Sequence, residues 1–115
     1  MELQSNLRMP LVTREGMTAL ICFNEREIQR EDETTHQIIT LYEYDYVRSP
    51  YPFTYSSLVS ALVKSRYSDD AMQAIINNHL ADEETPEHAE QFAAMQAWRT
   101  EVKEIAHQVI GLLEQ

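Results

Sequence analysis

The sequence predicts an α+β fold: an N-terminal antiparallel β-hairpin or small meander, then two short helices and one long C-terminal helix. Three observations carry that expectation. Residues 37–47 alternate with a period of two, placing Tyr42, Tyr44 and Tyr46 on one face and Ile39, Leu41 and Val47 on the other. From Met95 the apolar residues run Met95, Trp98, Val102, Ile105, Val109, Leu112, spaced alternately by three and four, which is the seam of a helix packed along another helix. Between these regions Ser49-Pro50-Tyr51-Pro52-Phe53 interrupts both periodicities, because each proline disfavours helix at the residue before it.

The β part begins with Ala19-Leu20-Ile21-Cys22-Phe23, a short apolar run. Its aromatic and β-branched neighbours in residues 37–47 support strand over helix. The charged link from Arg26 to Thr34 is expected to be an exposed hairpin loop or the twisted ends of two long strands. An isolated two-stranded hairpin is marginal in water, so it must pack on the helices or be completed by residues 3–14 or by a second subunit.

The helices follow. Thr54 is expected to cap the first, with Leu58, Val59, Leu62 and Val63 forming its apolar stripe and an end near Arg66. Ser68 caps the second after a connector of only a residue or two. Asp69 and Asp70 sit in its first turn, where carboxylates suit the helix dipole, and Met72, Ile75, Ile76 and Leu80 form the expected buried face. Thr85 caps the third, with Pro86 in its first position. At ~1.5 Å per residue that helix is about 43 Å long, longer than a compact domain of this size. It is expected to protrude, or to have its C-terminal half covered by another chain. Residues 1–115 are read as a single domain, β-rich over 1–48 and helical over 54–115.

Composition narrows the function classes. The 115 residues carry nineteen acids against nine bases, a net charge of −10, with an acidic excess in both halves. Such a surface repels phosphate backbones and anionic membranes, so neither nucleic acid nor membrane is an expected partner. A lone cysteine, Cys22, excludes an intramolecular disulfide. The start MELQSNLRMPLVTREG lacks the pattern of a secretory signal, and a cytoplasmic location is expected.

Catalytic patterns are scarce. The four histidines have no zinc-type spacing with cysteine. Glu104 and His107 form one E-x-x-H pair, where a di-iron bundle needs two and further glutamates. Cys22 lies in an apolar strand with no neighbouring base. Two glycines and no G-x-S-x-G sequence leave neither a phosphate-cradling loop nor a nucleophile elbow. A non-enzymatic protein without metal or cofactor is therefore expected. Its candidate interface residues are Trp98, Val102, Ile105 and Val109 on the seam, and Tyr42, Tyr44 and Tyr46 on the strand, tyrosine and tryptophan being enriched at contacts between proteins.

Residues 50–80, PYPFTYSSLVSALVKSRYSDDAMQAIINNHL, and 90–106, EQFAAMQAWRTEVKEIA, together with the tyrosine-bearing strand, resemble a group of small uncharacterised proteins encoded in prophages near tail genes. The shared pattern is an aromatic-proline segment, a short helix ending in Lys64-Ser65-Arg66-Tyr67-Ser68, a helix with Ala74-Ile75-Ile76-Asn77, and a final helix with Gln96-Ala97-Trp98-Arg99. The C-terminal helix is also loosely similar to that of tail-fibre assembly proteins. The resemblance implies a phage-derived tail accessory or assembly chaperone, with tail or baseplate proteins as partners; it supplies no catalytic residues. The homo-oligomer expectation comes from the residues: the seam of the C-terminal helix can close within the chain or between chains, and its length favours a second chain. The alternative from the residues is an acidic DNA mimic inhibiting a DNA-binding protein, with Asp82, Glu83, Glu84, Glu87 and Glu90 imitating phosphates.

Overall fold

The computed structural model describes residues 2–82 and 84–114. Four strands precede three helices: β1 (Glu2–Ser5), β2 (Val12–Glu15), β3 (Thr18–Glu31), β4 (Ile38–Pro50), α1 (Tyr55–Lys64), α2 (Asp69–Ala81) and α3 (Pro86–Leu113). The protein is α+β, a four-stranded antiparallel sheet followed by three helices. Contacts group the chain into two compact units, Met1–Phe53 and Thr54–Gln115.

The sheet is built on one long hairpin. β3 and β4 pair from Thr18↔Pro50 to Glu31↔Ile38, so Arg26 to Glu31 of the charged link belongs to a long strand and only Asp32 to Thr34 lie in the reversal. The reversal is confined to the residues between them. There the Asp32 carboxylate accepts the Thr34 and Thr35 amides at 2.7 and 3.1 Å, and His36 takes a left-handed φ of 58°. The chain completes its own sheet: β2 lies along β3 and β1 along β4, in the order β1-β4-β3-β2. Gly16, at φ +64°, turns β2 into β3, where any Cβ would be strained.

Alternation in β4 works as the sequence predicts. Leu20, Cys22 and Tyr44 form a buried cluster on one face of the sheet, with Leu3, Met9, Tyr42 and Tyr46 packed against it. Ile21, Leu41 and Val47, on the opposite face, are also buried. β4 runs on to Pro50, further than the proline-rich sequence suggests. β1 pairs only with Tyr42–Asp45, so Pro50 lies beyond the strand that would have needed its missing N–H.

In the helical unit, Thr54 makes a reciprocal cap. Its hydroxyl accepts the Ser57 amide at 3.1 Å, while the Thr54 amide donates to Ser57 Oγ at 3.0 Å. Ser68 accepts the Ala71 amide at 3.1 Å. The α1–α2 corner uses Ser65 to Ser68, longer than the one or two residues expected. Thr85 stands at the N-cap position of α3 without capping it, because its hydroxyl donates to the Asp82 carboxylate instead.

Both α1 and α2 pack on α3. Leu58, Leu62 and Val63 of α1 are buried, as is the α3 seam from Met95 to Val109. Two expectations are corrected. The C-terminal half of α3 needs no second chain to cover it, since its buried residues are satisfied within one chain; only Leu112, at 46% exposure, leaves the seam. The expected buried face of α2 is not buried: none of its residues is, and Leu80 is 67% exposed. That helix rests on α3 along one narrow contact, and its own apolar stripe is only half covered.

The caps differ enough to be separated by experiment. Thr54→Ala is expected to lower stability by about 1 kcal/mol in urea denaturation, and Thr85→Ala by clearly less, because only the first loses a helix-capping hydrogen bond.

Candidate protein-interaction surfaces

The tyrosine face is shaped by a bulge. Phe23 faces Asp45 and Arg26 faces Glu43, so Asn24 and Glu25 together oppose Tyr44. Asn24 absorbs the extra residue at φ 56°, a left-handed conformation that asparagine tolerates, and its amide donates to Asp45 at 3.0 Å.

The bulge brings Glu25 to the end of the tyrosine ring. Tyr44 Oη donates to Glu25 Oε1 at 2.6 Å and accepts the Met9 amide at 2.8 Å. Burial first, and then the bond to Glu25, push the Tyr44 phenol above its ordinary pKa. Its job is structural: the hydroxyl ties the β1–β2 connection to the sheet.

Tyr44 is only 2% exposed, whereas Tyr42 and Tyr46 are half-buried. Arginine guanidinium groups lie over both outer rings, Arg8 at 5.5 Å from the Tyr42 centroid and Arg48 at 5.4 Å from that of Tyr46. The three tyrosines share one face, as their spacing predicts, but much of that face is occupied by the chain itself.

On the opposite face Arg26 bridges two carboxylates, at 2.8 Å from Glu43 and 3.0 Å from Asp45. The bond from Arg26, then that from Gln4, holds the Glu43 carboxyl below its usual range. Cys22 is buried, and that burial raises its thiol pKa. A raised pKa suppresses the thiolate that a nucleophile requires.

The seam candidates come together as their periodicity predicts, but inwards. Trp98, Val102, Ile105 and Val109 are between 0 and 8% exposed within the chain. The Arg66 guanidinium lies 3.8 Å from the Trp98 ring centroid. In this conformation these four side chains are core, which is the within-chain alternative for the seam.

Two of the histidines stack on aromatic rings. His107 stacks on Tyr55 at 4.6 Å, and Glu104 accepts from Gln108 at 3.2 Å, so the E-x-x-H pair is not drawn to a common point. His79 stacks on Phe92 at 4.3 Å. Among the described residues no group of three His, Cys, Asp or Glu side chains could hold a metal ion, and no helix is long and apolar enough to cross a membrane. In the acidic cluster Asp82 is engaged by Thr85, Glu84, Glu87 and Glu90 are exposed, and Glu83 lies outside the described residues.

A surface that sequence reasoning missed lies beside α2. A crevice of about 450 Å³ opens where α1, the first half of α2 and the middle of α3 meet. Val59, Val63, Met72 and Ile76 supply its apolar lining, and its charged lining is three cations, Lys64, Arg99 and Lys103, with one acid, Asp69, 3.6 Å from Lys64. The cations are three of the four basic residues in the helical unit. The signal was present in part, since Arg99 and Lys103 are four apart and share a helix face. The third cation comes from another helix, and only the fold brings it near.

The fold and these surfaces define an α+β protein with two partly covered aromatic or apolar faces. No family model, no curated protein and no solved structure matches the chain.

Two outcomes follow from this geometry. Val102→Asp is expected to unfold the chain, costing more than about 3 kcal/mol for an unpaired charge in a filled core, as read by calorimetry together with mass. Glu43, with its pKa lowered by folding, contributes stability above the ordinary carboxylate range and loses it as pH falls through the folded value. Glu43→Gln should therefore flatten the acid limb of a stability–pH profile measured by urea titration.

Proposed function

We propose that this chain is a non-enzymatic protein-interaction module, acting in the cytoplasm as a structural accessory or chaperone in phage-type tail assembly. The observation that carries the interaction reading is α2. This thirteen-residue helix buries none of its side chains, holds Met72, Ile75 and Ile76 half-covered, and presents Leu80 to solvent. A helix of this length is marginal alone and depends on packing of its apolar face. An apolar stripe left half-covered on a monomer is the kind of surface that partners complete. The tail context comes from the resemblance of residues 42–106 to prophage proteins encoded near tail genes. Partners are therefore proteins, with tail or baseplate components the first candidates, and neither nucleic acid nor membrane takes part.

Affinity capture of the tagged chain from source cells after prophage induction, followed by mass spectrometry, tests this reading. Tail or baseplate proteins at near-stoichiometric levels are expected. Recovery of a nuclease or DNA-binding protein in their place would overturn the tail role in favour of a DNA mimic.

A further inference from the structure

We infer that the crevice between α1, α2 and α3 docks a short acidic segment of a partner protein, an apolar side chain of that segment resting on α2 and a neighbouring carboxylate on Arg99 and Lys103. The inference deepens the interaction reading, on which it rests, by giving the chemistry that the α2 surface selects.

Charge in the helical unit is distributed against its composition. The unit carries ten acids and four bases, yet three of those bases line one crevice. Lys64 is already engaged there by Asp69, at 3.6 Å. Arg99 and Lys103 remain, both exposed, and among the described residues neither makes an ion pair.

These two cations also stand four apart on α3, where like charges repel and slightly destabilise a helix. No residue three or four positions from either of them is acidic, so the helix supplies no carboxylate to relieve the pair. A repelling pair kept in a unit with acids to spare breaks a local rule, and such breaks concentrate where a site requires them. An arginine beside a lysine is suited to a carboxylate, which the guanidinium can hold through two parallel hydrogen bonds.

The same crevice has an apolar wall. Val59, Met72 and Ile76 line it and are only half-covered. A volume of about 450 Å³ is within the range of small binding sites, so it takes one side chain and its neighbours, not a whole domain. The crevice is open to solvent, and a free fatty acid confined to it would stay partly wet. A peptide continues beyond the crevice and anchors an apolar side chain within it. Nucleic acid fits less well, having no aliphatic group for Met72 and Ile76 and bringing phosphates towards a chain of net charge −10. Asp69, at the start of α2, repels a carboxylate from that end and so directs it to the α3 wall.

Selection from a displayed library of random short peptides against the full chain tests the site, the enriched sequence then being labelled and titrated by fluorescence anisotropy. Enriched peptides are expected to carry an aliphatic or aromatic residue beside Asp or Glu, and to bind more weakly as sodium chloride is raised. Alanine in place of the peptide's apolar residue should also weaken binding. Arg99→Glu should weaken it by at least about tenfold. The same change sets a glutamate four residues before Lys103, a stabilising helix pair, so the melting temperature should not fall. Lys103→Gln, which removes one charge and keeps helix propensity, should act in the same direction. Arg30→Glu, an equal reversal of charge at an exposed site on β3, should leave binding unchanged.

No enriched peptide, enrichment without acidic residues, or binding that survives both α3 variants would each overturn the site. Self-association of the wild type that Arg99→Glu abolishes would overturn it too, by giving the crevice to a second copy. Tail proteins captured equally by wild type and Arg99→Glu would remove this site and leave the assembly reading standing. Acidic peptides bound at the crevice of a chain that captures no tail protein would do the reverse.

Discussion

The helical unit depends on the apolar stripe of α3. Helices of ten and thirteen residues do not hold together alone in water, because nucleation is costly and each further residue gains little. α1 and α2 persist because both lie on a helix of 28 residues whose stripe from Met95 to Val109 is continuous. A three-four spacing gives a seam only two residues wide in every seven. One such seam serves two neighbours unequally: α1 buries Leu58, Leu62 and Val63, and α2 buries nothing. The exposed leucine and the crevice beside it are consequences of that narrowness.

A different constraint organises the sheet. One extra residue in β3 gives Asn24 a left-handed backbone and places Glu25 and Arg26 where regular pairing would not. Glu25 then meets the Tyr44 hydroxyl on one face, and Arg26 reaches between Glu43 and Asp45 on the other. The bulge thus decides how the β1–β2 connection is fastened and where a buried phenol finds its partners. A phenol left unpaired there would cost about 1–3 kcal/mol, so the irregular stretch is as much a structural element as the regular ladder around it.

What the sequence discloses follows from how local each signal is. Period two in residues 37–47 and the spacing along α3 are written in consecutive residues, and both become faces of the kind they imply. Thr54 and Ser68 cap as their positions suggest, since a cap needs only its own next three residues. The bulge was not legible, because a single added residue in a charged stretch leaves no mark on periodicity. Nor was the burial of α2, where Met72, Ile75, Ile76 and Leu80 satisfy the pattern of a buried face while the fold offers too little surface to cover it. The candidate seam residues were found, but spacing alone cannot say whether a seam closes within a chain or between chains. Here it closes within one. The basic crevice draws Lys64 from one helix and Arg99 and Lys103 from another, a juxtaposition that exists only after folding.

Net charge and local charge act over different distances, and this bears on any assembly the chain enters. A chain carrying −10 repels its own copies, but at physiological ionic strength that repulsion decays over ~8 Å. Opposed groups within a contact are only ~4 Å apart, so salt weakens their attraction less than it weakens repulsion between whole molecules. An acidic protein can therefore bind another acidic chain through a restricted cationic patch, provided the patch faces an acidic segment and an apolar group removes water from between them. Lys64 of α1 and Arg99 and Lys103 of α3 form a restricted cationic patch of this kind around the crevice, offset in part by Asp69.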